Sequence, residues 1–414
     1  MEDKIQIIVG RDVEDTIKYG TKGTINIGKH IVGTGEDAHF TTPVLMDILR
    51  PHLMILCGKR GSGKSYSIGV FVEEMMKLPD EFRKSLCSVI IDTQGIFWTM
   101  KQANEKDIIS LNKWGMKSIG FPIAVYVPEG QKIIFEKAGV DFDGIFSVAA
   151  HEITGDDWLA VFQLSQNESL GIFLQKIIND MKGEFTIDDI IKQIESEKGF
   201  ESEKMALVNR FSVAKNWGIF GESKMPKLLE PGKASVIDVS LTSQNVRSLL
   251  ISLISKKIFS ERTIARRKEE LAETEGYSIK RTPMCWIMID EAHNFISSDQ
   301  KNASQDILLR IVKEGRQPGI GLLLATQRPE KLHPDALAQS DLLVSHMLTS
   351  KADIDSLRAV MQTYMLFDIT KYLIDLPKMK GVAIVMDDNS ERIYSVYIRP
   401  RQSWHAGSSP VAKM

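Results

Sequence analysis

The sequence predicts an α/β fold, a mainly parallel sheet covered by helices, with a helical insertion and a small N-terminal β region. Three observations predict it. The short apolar run Leu53–Cys57 leads into a glycine-rich loop and then into helical periodicity. Further apolar runs of strand length recur with helical patterns between them, as in a parallel sheet whose crossovers are helices. Two of those runs lead into polar groups: Met284–Ile289 into Asp290 and Glu291, and residues 320–325 into Gln327.

The elements follow in chain order. Residues 1–50 carry β-like pieces at 5–9 and 24–27 among many glycines, which suits a small twisted sheet or reduced barrel. Residues 37–44 are polar and read as a turn-rich connection. After Leu53–Cys57, the residues Gly58, Gly63, Lys64 and Ser65 fit G-x-x-x-x-G-K-[ST], the phosphate-binding P-loop. Gly58, Gly61 and Gly63 let the backbone curl so that successive N–H groups face phosphates. The candidate nucleotide-binding set is therefore Gly58, Lys59, Arg60, Gly61, Ser62, Gly63, Lys64, Ser65 and Tyr66. Lys64 supplies a point charge, and the Ser65 hydroxyl suits Mg²⁺. Ile68, Phe71, Val72, Met75 and Met76 then recur at helical spacing until Pro79, so a helix N-terminus faces the phosphates.

Residues 87–92 and 123–127 are the next two strands. Residues 150–228 change character: Trp158, Leu159, Phe162, Phe173 and Ile177 follow helical spacing, and Thr186 with Asp189 forms a capping-box pattern. This stretch is the helical insertion. A strand at 234–239 and a long helix over 245–273 come next, with Val246, Leu249, Leu250, Ile254 and Ile258 on one helix face. The second half of that helix carries Arg262, Arg266, Arg267 and Lys268, either a solvated face balanced by glutamates or a nucleic-acid contact. Strands at 342–348, 382–386 and 393–398 complete the series. The expected division is 1–50, the two core parts 51–149 and 229–407 flanking the insertion at 150–228, and a flexible tail at 408–414.

With 43% hydrophobic and 26% charged residues and a net charge of −2, the chain has no global basic field, so any nucleic-acid contact must be local. Cys57, Cys87 and Cys285 lie in or beside apolar runs without metal-ligand spacing and read as reduced core residues. No apolar stretch reaches the roughly 18 residues of a membrane span, and no signal-peptide pattern opens the sequence. The expected location is cytoplasmic, without membrane contact.

Asp290 and Glu291 after an apolar strand form the Walker B pattern, in which the aspartate holds Mg²⁺ and the glutamate polarises the attacking water. Parallel strands end on one edge, so Ser65, Asp290 and Gln327 should converge there. Gln327 would then reach the γ-phosphate or the attacking water. Asp290-Glu-Ala-His293 has the letters of a DEAH box, but too little chain follows for a second lobe. His293 reads as a structural residue beside the site.

The ordered motifs resemble HerA-type ATPases of the HerA/FtsK group. They are the P-loop from His52, Ile90-Ile-Asp-Thr-Gln-Gly95, the segment 229–240, Ile289-Asp-Glu-Ala-His-Asn-Phe295, Glu314-Gly-Arg-Gln-Pro-Gly-Ile-Gly321, Thr326-Gln-Arg-Pro329 and the closing Arg399-Pro-Arg-Gln-Ser-Trp-His. The resemblance covers roughly residues 45–407. It implies a RecA-like P-loop NTPase core in a hexameric ring, with ATP and Mg²⁺ clamped between subunits and double-stranded DNA threaded through the pore. The N-terminal β region is shorter than the family's barrel, and Ile96 stands where the family carries a glutamate.

A ring ATPase needs a cation from the next subunit to offset transition-state charge. The resemblance points to Arg316 in Glu-Gly-Arg-Gln, with Arg310 as second choice. Lys101, Lys106 and residues 262–268 are candidates for the pore. The implied function is an ATP-dependent DNA translocase in DNA processing or repair, with a nuclease or other effector as partner. The alternatives are a ring scaffold regulating an effector enzyme, or a viral or mobile-element DNA packaging or transfer motor.

Overall fold

The computed structural model describes residues 6–33, 38–348, 350–361, 372–373, 376–377 and 379–407. The tail at 408–414, Ile5 and Asp37 lie outside them. The strands are β1 (Ile7–Val9), β2 (Thr24–Val32), β3 (His39–Asp47), β4 (Leu53–Cys57), β5 (Leu86–Asp92), β6 (Ala124–Pro128) and β7 (Gly144–Phe146). They continue as β8 (Ala234–Asp238), β9 (Met284–Ile289), β10 (Ile320–Thr326), β11 (Leu342–His346), β12 (Val382–Asp387) and β13 (Arg392–Ile398). All belong to one sheet in the order β1-β3-β2-β13-β12-β11-β4-β10-β9-β5-β8-β6-β7.

From β7 to β11 every neighbouring pair is parallel. Strands β4, β5, β8, β10 and β11 are buried at every residue, as helix cover on both faces requires. Successive side chains alternate between two cores. Ile55, Ile91, Ile289 and Leu324 face the long helix Gln244–Glu275 and the helices within residues 155–215. Met54, Leu56, Ile90 and Met288 face Ile68, Phe71, Val72 and Met75 of the P-loop helix Lys64–Lys77. The helices Gly155–Phe162 and Glu201–Lys215 pack on fully buried Trp158, whose ring meets Phe211 edge-on at 4.8 Å and stacks on Phe162 at 5.2 Å. The capping box at Thr186 forms as its sequence indicates.

Past β11 the sheet turns antiparallel, through β12, β13, β2 and β3. Only residues 388–391 separate β12 from β13, and so short a link makes a hairpin. The N-terminal strands extend this same sheet, because β2 pairs with β13. The stretch at 37–44, expected as a connection, instead lies mostly in β3. Its polar, exposed first half and Pro43 hide the strand from pattern reading. Proline is tolerated because β1 pairs with β3 only from Val44 onward, so no ladder bond from that side needs the missing N–H.

Candidate nucleotide site

Strand β4 carries the chain through the core to Gly58, whose N–H donates to the Thr326 carbonyl at 3.3 Å. Gly58 has φ 152°, and a Cβ there would lie 2.5 Å from Ser62 Oγ and 2.7 Å from His346 Cβ, so only glycine fits. Lys59 N–H donates to Met347 O at 3.0 Å and closes the loop onto β11. Gly63, at φ 118°, precedes the P-loop helix without a side-chain cap, leaving the first-turn N–H groups to face outward. The Lys64 ammonium curls back to donate to the carbonyls of Gly58 (2.9 Å) and Lys59 (3.3 Å). Burial lowers its pKa, against the pull of Glu291 and Asp290. Lys59, Arg60 and Gly61 are exposed, whereas the Ser62 hydroxyl is buried without a partner among the described residues.

The sheet order brings the other strand ends to this loop. Because β10 lies between β4 and β9, Gln327 sits between the P-loop and Asp290-Glu291. Ser65 Oγ donates to Asp290 Oδ2 at 2.7 Å, and Gln327 Nε2 donates to Glu291 Oε2 at 3.1 Å. Glu291 is a non-glycine residue at φ 53°, a turn that sets its carboxylate beside that of Asp290. Burial raises the Asp290 carboxyl, and burial with the neighbouring Asp290 charge raises that of Glu291. His293 Nδ1 lies 3.1 Å from Thr326 Oγ1 and 3.6 Å from Glu291 Oε2; burial, then Arg328, brings its pKa down to about 4.

Three features escaped the sequence reading. His346 lies fully buried under the loop, and its Nδ1 faces the Val382 carbonyl at 3.0 Å. That nitrogen must donate, so Nε2 accepts from Ser67 Oγ at 2.9 Å, and the imidazole is neutral with a pKa lowered to about 4 by burial. The signal was the position of His346 at the end of a parallel strand. Second, the closing segment grips the P-loop helix: fully buried Glu73 accepts from the N–H groups of Gln402 (3.0 Å) and Ser403 (2.9 Å) and pairs with Arg399 at 2.9 Å. The Tyr66 hydroxyl accepts from Arg401 N–H at 2.6 Å, turning that side chain towards the closing segment. Third, Asp92 and Asp238 end adjacent strands in register. Asp92 accepts N–H groups from Gln94, Gly95, Ile96 and Phe97, and burial with the Asp238 charge pushes its pKa up to about 7. Ile96, the departure from the family pattern, thus contributes its backbone to this turn.

The remaining candidates lie apart from the loop. Arg316 sits before β10, at the opposite edge of the sheet, and donates to Asp341 Oδ2 of its own chain at 2.8 Å. Arg310 pairs with Glu314 at 3.0 Å and covers the Phe259 ring. Arg262 is buried and donates to the Pro318 and Thr282 carbonyls at 2.7 Å each, so it is a packing residue; Arg267 and Lys268 are exposed. Lys101 pairs with Asp143 at 2.9 Å, and Lys106 lies over the Trp404 ring. Among the described residues no helix is long and apolar enough to cross a membrane.

A family model described as the central domain of helicase HerA matches residues 25–258. The chain is similar to the DNA double-strand break repair helicase HerA of Sulfurisphaera tokodaii, at 23% identity over 77% of this chain and 58% of that protein. It is also similar to the protein of the same name from Pyrococcus furiosus, at 27% identity over 34% of this chain and 29% of that protein. The chain therefore spans 58% or less of the length of either relative. Among solved structures, VirB4 of Thermoanaerobacter pseudethanolicus superimposes with a TM-score of 0.57 at 12% identity, covering 92% of this chain and 96% of that one. The bacterial conjugative coupling protein TrwBdeltaN70 gives a TM-score of 0.51 at 14% identity, covering 95% and 99%. These two likenesses concern the fold, a helix-covered sheet of the P-loop NTPase, RecA-like kind.

Proposed function

Since the chain belongs to the HerA helicase central-domain family, we propose that it is an ATP-dependent ring motor that moves duplex DNA. The observation that carries this reading is the meeting of Lys64, Ser65, Asp290, Glu291 and Gln327 at one sheet edge, beside the N-terminus of the P-loop helix. Lys64 and the amides of residues 58–66 hold the phosphates of ATP. Ser65 and Asp290 offer two hard oxygens side by side, the donor type that Mg²⁺ takes, and they would hold that ion. Bound there, Mg²⁺ would neutralise phosphate charge. Glu291 draws a proton from the attacking water, Gln327 orients that water or senses the γ-phosphate, and Arg316 serves a neighbouring subunit's site.

In this reading six copies form the ring, the core parts 51–149 and 229–407 carry the motor, and the insertion at 150–228 decorates it. The relatives' name supports a place in DNA break repair; a nuclease or other effector as partner and a cytoplasmic location complete the proposal. The test measures ATP hydrolysis with and without duplex DNA, and DNA binding between low and physiological salt. The expected result is stimulated hydrolysis and sequence-independent binding that weakens steeply with salt. Hydrolysis that ignores DNA and answers only to a protein partner would replace the motor by a regulatory scaffold.

A further inference from the structure

At the sheet edge opposite the P-loop, a cleft of about 330 Å³ is lined by His52, Arg316, Asp341 and Asp388 among others. Its centre is Asp341, whose side chain is only 5% exposed. Asp341 Oδ1 accepts from the Leu53 N–H at 2.8 Å, at the start of the P-loop strand. Its Oδ2 is shared by His52 Nδ1 at 2.6 Å and by one arm of the Arg316 guanidinium at 2.8 Å. Behind His52 stands Asp47, 3.4 Å from Nε2, which in turn is held by Arg11. Burial alone would lower the His52 imidazole, but Asp341 and Asp47 together carry it up to about 9.

The buried carboxylate is thus satisfied by His52 and Leu53 without Arg316, so the fold does not need that third contact. Arg316 itself is 67% exposed, and an ion pair that open adds little stability. What the contact does is hold direction. The backbone is pinned as well: Ile320 N–H returns to the Gly315 carbonyl at 2.8 Å, and Gly319 N–H to that of Arg316 at 3.2 Å. Only the NH2 arm of the fork is engaged by the Asp341 carboxylate, and most of the side chain faces outward.

We propose that Asp341 is a positioning residue for Arg316, gripping one arm of its guanidinium so that the other is presented to the nucleotide of an adjacent subunit. This rests on the reading of Arg316 as the cation that acts across subunits. The test compares Asp341→Asn, Arg316→Lys and Arg316→Ala for ATP hydrolysis, alone and mixed with Lys64→Ala. Asp341→Asn and Arg316→Lys should each lower kcat about tenfold with the KM for ATP unchanged, the pattern of a contact used only in the transition state. Adding Lys64→Ala subunits, which carry an intact Arg316 and Asp341, should raise hydrolysis per Asp341→Asn subunit.

A role limited to supporting the P-loop strand through Leu53 would instead raise KM and give no recovery on mixing, and that result overturns the proposal. Arg316→Lys lies on the surface and folds whatever becomes of Asp341→Asn; its full activity would also overturn the proposal. A fully active Arg316→Ala would remove the underlying reading itself. Loss of activity in Arg316→Ala, restored by mixing, beside a wild-type Asp341→Asn would leave that reading standing and reject the positioning role alone.

Discussion

The Ser65 hydroxyl and the Asp290 carboxylate meet at 2.7 Å although 225 positions separate them in the chain. Each would supply one oxygen to Mg²⁺. Ser65→Ala removes one of the two without altering the buried carboxylate. Titration of hydrolysis with Mg²⁺ should show the half-maximal concentration rising about tenfold or more, the usual size of losing a metal-site contact. An unchanged Mg²⁺ dependence would detach Ser65 from the metal.

Glu291 lies beside Asp290 and accepts from Gln327. Glu291→Gln preserves size and hydrogen bonding but cannot take a proton. Nucleotide affinity should persist while turnover falls by about 100-fold or more. Wild-type turnover in Glu291→Gln would place the base elsewhere.

The His52 imidazole is raised from 6.5 to about 9 between Asp341 and Asp47, with Asp387 also near. A folded-state pKa above the unfolded one means stability fully present below about 6.5 and lost as pH rises through 9. The loss is on the order of 3 kcal/mol at most. Urea unfolding between pH 6 and 10 should show this decline, and His52→Asn, less stable at pH 6, should flatten it.

Asp92 and Asp238 are a buried like-charged pair in which Asp238 Oδ2 has no hydrogen-bond partner among the described residues. Burial raises both carboxyls, so the folded state holds a proton that the unfolded chain has released, and the pair lowers stability once pH exceeds the ordinary carboxylate range. Asp238→Asn should stabilise the protein by about 1–2 kcal/mol at pH 8. The gain should shrink as pH falls through 7 towards 4. Thermal unfolding at the two ends of that range checks the sign, and a gain that grows on acidification would contradict it.

How much of this was legible in the chain depended on the range of the interactions involved. The apolar run into Gly58, the helix from Lys64, the strand before Asp290 and the cap at Thr186 follow from residues within a turn or two of one another, so periodicity and local hydrogen bonding identify them. Strand β3 did not, because its polar half is held by pairing with β2 rather than by its own pattern. The placing of β10 between β4 and β9, which sets Gln327 against Glu291, is a matter of which distant strands bury each other, and no local pattern carries it. The same holds for Glu73 under the closing segment and for Arg316 on Asp341. Sequence alone determined which groups reach the ends of strands, since that is written in alternation and glycine spacing. Tertiary structure decided which of those groups touch, because buried charges such as Glu73 and Asp341 take their partners from whatever segment packing brings within hydrogen-bond reach.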